Sequence, residues 1–198
     1  MTLANLIRRA RLSAVFATGL LLAACASGND GSMDTVSGFD VDRYLGEWHQ
    51  VAAIPVWFQR DCVANTTATY GPGEDDLIAV TNRCEIADGT FDEADGRARF
   101  QGDPTDGKLE VTFVDVFGEW VWATGGDYWI IGLDPDYRWS VVGHPSREYG
   151  WVLARTPTLD AATLATVDGI LKDEGYDTCT LMMTTPDQTG PLCQVAGG

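Results

Sequence analysis

Histidine is nearly absent from this chain, with His49 and His144 the only two, and Lys and Arg together number 13 against 29 Asp and Glu. So few imidazoles leave no His-rich metal motif, and a formal charge of −16 opposes nucleic acid and gains nothing from an anionic bilayer. No CxxC pair, no Gly-rich phosphate loop and no Ser elbow is present, which removes the commonest marks of redox, nucleotide and hydrolase chemistry. The acid pairs Asp75-Asp76 and Asp92-Glu93 fall in turn-like stretches and read as solvated charge; weak calcium binding by Phe91 to Asp95 is a minor alternative. Neither a catalytic residue nor a cofactor nor a metal site is expected.

What is present begins at the amino terminus. Arg8, Arg9 and Arg11 make a basic head, and an acid-free apolar stretch runs from Leu12 to Ala24, too short for a membrane span and ending in small residues. This is the layout of an export signal. Leu22-Ala23-Ala24-Cys25 resembles the lipobox of bacterial lipoproteins, which implies removal of residues 1–24, acyl chains on Cys25, and an outer-membrane lipoprotein facing the periplasm. At about 0.8 kcal/mol per buried methylene, several such chains hold firmly. With Cys25 set aside, Cys62, Cys84, Cys179 and Cys193 are an even set in an oxidising compartment, open to three pairings. Residues 25–38 are small, polar and aperiodic, the composition of a flexible tether.

From Trp48 to Arg155 apolar and polar residues alternate between turn clusters, as in Leu109, Val111 and Phe113 against Lys108, Glu110 and Thr112. The pattern predicts about eight strands, near 46–55, 63–71, 77–85, 96–102, 108–115, 127–133, 137–143 and 149–155. Eight strands suffice for a closed barrel that holds one small ligand, although periodicity alone leaves a sandwich open. After Pro157 the period lengthens: Leu164, Val167 and Leu171 stand at helical spacing, with Thr158 or Asp160 as N-cap and Gly175 as a stop. An all-β barrel with one helix packed outside is the expectation.

Three short motifs then fall in order: Gly46-Glu47-Trp48 at the first strand, Gly132, Asp134 and Tyr137 within "GLDPDYRW", and Arg155 within "ARTP". In these the chain resembles the bacterial lipocalins over residues 39–187, with 188–198 left as a tail. The resemblance implies an eight-stranded antiparallel up-and-down barrel in which Gly46 permits a sharp entry, Trp48 plugs the bottom, and Arg155 lies across its indole. It places His49 at the closed end and His144 at the open end, too far apart to share a metal. It also implies a hairpin centred on Gly73 that sets Cys62 opposite Cys84, leaving Cys179 to Cys193; the pairing of Cys62 with Cys179, found in some animal relatives, stays as the alternative.

The same resemblance implies a non-enzymatic carrier or store of a hydrophobic small molecule, a fatty acid or lysophospholipid, with the membrane met through the anchor at Cys25 and no nucleic acid bound. The residues it assigns to the ligand are Ile54 and Phe58 near the rim, Thr66, Val80 and Asn82 on one face of the hairpin, Phe100, Val111 and Phe113 along the next strands, and the aromatics Trp122, Tyr128, Trp139 and Trp151. The loop 117–125, with Trp120 and Trp122, reads as an apolar lip. The alternatives are a lipid-modifying enzyme on the same scaffold and an envelope interaction protein with a filled barrel.

Overall fold

The alternating segments form antiparallel strands that close on themselves in the computed structural model, which describes residues 32–197. Cys25, the signal sequence and the first part of the tether lie outside the described residues. In chain order the elements are α1 (Val41–Tyr44), β1 (Gly46–Ala53), β2 (Cys62–Pro72), β3 (Ile78–Ile86), β4 (Phe91–Phe100), β5 (Lys108–Thr112), a small hairpin of β6 (Asp115–Val116) and β7 (Glu119–Trp120), β8 (Gly126–Leu133), β9 (Trp139–Gly143), β10 (Gly150–Ala154), α2 (Ala161–Asp173), β11 (Met182–Met183) and α3 (Leu192–Val195). Strands β1 to β5 and β8 to β10 pair in succession, and β10 returns to β1 through His49↔Ala154 and Gln50↔Leu153. This is a closed eight-stranded barrel, not a sandwich, and closure leaves few backbone groups without partners.

Strand parity sorts the apolar residues into two layers. Trp48, Tyr70, Val80, Leu109, Ile130 and Leu153 point inward and pack together. Val51, Ile131, Val141 and Val152 point outward and are covered by Leu164, Val167 and Leu171 of α2, as the helical spacing predicts. Asp160 caps that helix by accepting from the Thr163 amide, and Gly175 ends it at φ +81.

Four expectations need correction. The β2–β3 ladder runs Tyr70↔Val80 and Ala68↔Asn82, so the hairpin turns at Asp75, not Gly73; Asp75 and Asp76 take the left-handed conformation that the turn requires. The ladder then slips twice between Cys62 and Thr67, with Asn65 at φ 49, and this brings Cys62 back within 5.5 Å of Cys84 to form the bond. The second disulfide joins Cys179 to Cys193. Strand β4 starts at Phe91, five residues before the predicted 96, because its acidic first residues pair with β3 along Arg83↔Glu93 and Cys84↔Asp92. The third concerns the tether, whose end is docked: Met33 is buried, and Val36 donates to the Ile130 carbonyl at 2.9 Å. Fourth, the tail is part of the body, with Leu192 fully buried in α3.

The closed end is built as the three motifs imply. Gly46 has φ +98, and a Cβ there would stand 3.2 Å from Arg155 Nη1. The Arg155 guanidinium lies 3.8 Å from the Trp48 ring centroid, and Trp48 is fully buried with its indole N–H donating to the Tyr44 carbonyl.

Candidate functional site: a cavity under the open rim

The connections 54–61, 87–90, 113–125 and 144–149 gather at the barrel end opposite Arg155. Between the two ends the interior changes character. In its closed half Trp48, Ile78, Leu109, Ile130 and Leu153 fill the space. Near the middle three tyrosine hydroxyls meet: Tyr128 Oη lies 2.8 Å from both Tyr44 Oη and Tyr70 Oη, and Tyr44 also donates to Ser140 Oγ at 3.2 Å. Burial is the main cause that pushes the Tyr44 hydroxyl up to about 12, and it drives Tyr70 and Tyr128 well above the ordinary phenol value of 10.0. All three are neutral phenols at any physiological pH, each satisfied by another.

Toward the rim the inward positions carry small side chains: Ala64 and Thr66 on β2 and Ala94 on β4. Such residues cannot span a barrel. A cavity of about 450 Å³ opens at the side of the barrel near the rim, lined by Gln50 and Ala53 of β1, Cys62–Ala64 and Thr66 of β2, residues of the 54–60 connection and Met182–Thr184 around β11. It lies where β1 and β2 part. Their ladder covers only Gly46–His49 against Thr67–Tyr70, after which β1 pairs with β11 instead. The volume falls within the range of pockets for small organic molecules. Its polar contribution is uncharged apart from Arg60: Gln50 Oε1 accepts from Gln59 Nε2 at 3.0 Å, and Thr66 adds a hydroxyl.

The predicted ligand residues divide into three groups. Ile54 and Thr66 line the cavity. Val80, Asn82, Phe100, Val111, Tyr128 and Trp151 share the interior, Val80 and Phe100 within the packed closed half and Asn82 beside Ala68. Phe113 lies at the mouth, its ring so close to Gly96 that a Cβ there would approach within 2.7 Å. Phe58 is half exposed in the first connection. Two placements need correction. Trp139 points outward and packs with the layer beneath α2. Trp122 lies on the outer wall with the Arg99 guanidinium 4.2 Å from its ring, and Arg99 also pairs with Glu110 there. A cation over its face holds that indole away from the interior.

Gln50, Ala53 and Met182 went unforeseen. Gln50 and Ala53 straddle a slip in the β1–β10 ladder between Gln50 and Ala52, which turns Ala53 inward beside Trp151 against simple alternation. For Met182 the sequence carries no local signal, because a two-residue strand far along the chain has no period.

Comparison with known proteins agrees with this geometry. The family described as a lipocalin-like domain matches residues 39–186. Temperature-induced lipocalin-1 of Arabidopsis thaliana is 36% identical over 167 residues, covering 83% of this chain and 88% of that protein. The outer membrane lipoprotein Blc of Escherichia coli strain K12 is 34% identical over 168 residues, covering 84% and 90%. Among solved structures, insecticyanin from the tobacco hornworm Manduca sexta superposes with a TM-score of 0.62 at 19% identity, over 81% of this chain and 88% of that one, a likeness of fold. A closed eight-stranded barrel, a bottom sealed by Gly46, Trp48 and Arg155, and matches of this extent have one reading: the chain belongs to the lipocalin family.

Proposed function

We propose that this protein is a bacterial lipocalin, moored at the outer membrane by acyl chains on Cys25 and facing the periplasm, that carries or stores a fatty acid or lysophospholipid. The observation that carries the reading is the cavity beside the open rim: bulky side chains occupy the closed half of the barrel, and where β1 and β2 part the wall is made of apolar atoms, uncharged amides and hydroxyls, with Arg60 as its one charge. An acyl chain satisfies such a wall. Burying about twelve methylenes contributes roughly 10 kcal/mol, and association costs of about 4–15 kcal/mol cancel much of it, so micromolar affinity is expected. In this reading Gln50 and Thr66, which line the cavity, meet a head group by hydrogen bonds. Carriage rather than catalysis fits the interior tyrosines, which are neutral and bonded to one another, leaving no base poised against a ligand.

Native mass spectrometry of protein released gently from the periplasm tests this. A copurifying lipid, or a mass shift on incubation with lysophospholipid or fatty acid that Ala64→Phe abolishes, supports the reading. A mass that stays at the apo value through every addition sinks it.

A further inference from the structure

The cavity where β1 and β2 part holds more hydrogen-bond donors than its neighbours use. His49↔Thr67 is the last pair of the β1–β2 ladder, so Gln50 and Thr66, the next residue on each strand, border the gap with no ladder between them. Gln50 is only 8% exposed. Its Oε1 is taken by Gln59 Nε2 at 3.0 Å, while its own amide nitrogen donates to nothing among the described residues and stays open to the cavity. The Thr66 hydroxyl likewise donates to nothing among the described residues. A buried amide without an acceptor is costly, so donors held this way mark a place for one.

Arg60 follows Gln59 at the end of the 3-10 turn Trp57–Gln59 and is the only charged residue in the cavity wall. Its side chain is 74% exposed, and its ionic neighbour Asp61 stands 3.6 Å from Nε, beyond hydrogen-bond length. A pair so exposed contributes little, which leaves the terminal nitrogens of the guanidinium to turn toward a ligand. Gln59 couples the two groups, since its side chain holds Gln50 and its backbone carries Arg60. Against these donors the wall offers one spare amide oxygen, Gln59 Oε1. In a chain of formal charge −16, a lone cation beside two unused donors selects the sign of what enters.

We propose that the cavity selects single-chain amphiphiles with an oxyanion head, a carboxylate or a phosphate, gripped by Arg60 and oriented by the Gln50 amide and the Thr66 hydroxyl. The acyl chain then lies against Ala53, Ile54, Ala64 and Met182. The inference deepens the lipid-carrier reading above and rests on it. Hydrogen bonds to an ionised group are roughly twice as strong as neutral ones, so an anionic head should bind about tenfold tighter than a neutral head on the same chain. A trimethylammonium head offers no acceptor and meets a like charge, so it falls below the neutral one. Because Arg60 is exposed, the preference shrinks as salt is added.

The test is equilibrium dialysis of the full protein at neutral pH against laurate, dodecyl phosphate, monolaurin and dodecyltrimethylammonium, each below its micelle concentration. One or both anions should lead monolaurin by about tenfold, with dodecyltrimethylammonium last. Arg60→Gln, a change at an exposed side chain, should erase most of that lead without weakening monolaurin, and Arg60→Lys should keep part of it. Gln50→Glu retains the oxygen that Gln59 holds and should weaken the anions alone. The anion that loses more on Arg60→Gln identifies the source as carboxylate or phosphate. Equal affinity for anionic and neutral heads, or a lead that Arg60→Gln leaves intact, overturns the head-group assignment and leaves lipid carriage standing. No binding of any of the four overturns carriage itself, and the head-group assignment with it.

Discussion

The two ends of the barrel differ in how many partners each side chain has. At the closed end Arg155 donates to the carbonyls of Arg43, Tyr44, Leu45 and Glu47 while covering Trp48, and Tyr137 accepts from the Asp40 amide while Arg43 covers its ring. At the open end the rings of Trp57 and Phe117 stand in solvent and inward positions carry Ala64, Thr66 and Ala94. One end is over-determined and the other under-filled. Stability is thus concentrated at the end away from the cavity.

The largest effect expected from this contrast comes from two tryptophans. Trp48→Ala removes a fully buried indole together with the surface that Arg155 covers and should cost about 3–5 kcal/mol in urea unfolding, whereas Trp57→Ala should change stability by less than about 0.5 kcal/mol. Equal costs would break the comparison. Next come the disulfides. Loops of 22 and 14 residues lead the chain-entropy estimate to about 3 kcal/mol for each, slightly more for Cys62–Cys84. Only the Cys62→Ser, Cys84→Ser protein should also lose ligand affinity, because that bond fixes the lip of β2 beside the cavity; titration of both double variants separates the two roles.

These differences also mark what was legible in the sequence. Parity along Leu109 and Val111 and the spacing of Leu164, Val167 and Leu171 report burial directly, so the barrel and its covering helix could be read, and the three closed-end motifs were placed correctly. The cavity was harder. Ala53 turns inward only because the β1–β10 ladder slips, and Met182 arrives from a distant strand. Trp122 and Trp139 were misplaced for a common reason: an indole serves as well beneath an arginine or a helix as inside a calyx, and composition does not distinguish them. Cys62 and Cys84 were paired rightly on a wrong register, since the two slips in β2 were invisible.

An alkaline limb sharpens the contrast from the interior. Tyr44 has its folded value raised, chiefly by burial, from 10.0 to about 12. The unfolded chain gives up this proton first, so the stability linked to it is intact below pH 10.0 and is lost as pH rises toward 12. Tyr70 and Tyr128 are raised for the same reason and add to the same fall. Tyr128→Phe removes the hydroxyl that bridges the other two and should cost about 1 kcal/mol at neutral pH while making the alkaline fall shallower, as followed by tyrosinate absorbance.

The smallest effect on stability should come from filling the open half. Ala64 lines the cavity on a strand segment that has already left β1, so a phenyl ring placed there meets empty space before it meets packed atoms. The usual overpacking cost of about 1–3 kcal/mol should therefore not appear, and unfolding of Ala64→Phe should stay within about 0.5 kcal/mol of the parent. The ring takes up volume that an acyl chain would use, so affinity for lysophospholipid should fall at least about tenfold, a loss of about 1.4 kcal/mol. The same ring at a position inside the closed half would unfold the protein before it displaced a ligand. Should Ala64→Phe destabilise strongly, the open half is packed after all, and the division of labour between the two ends is lost.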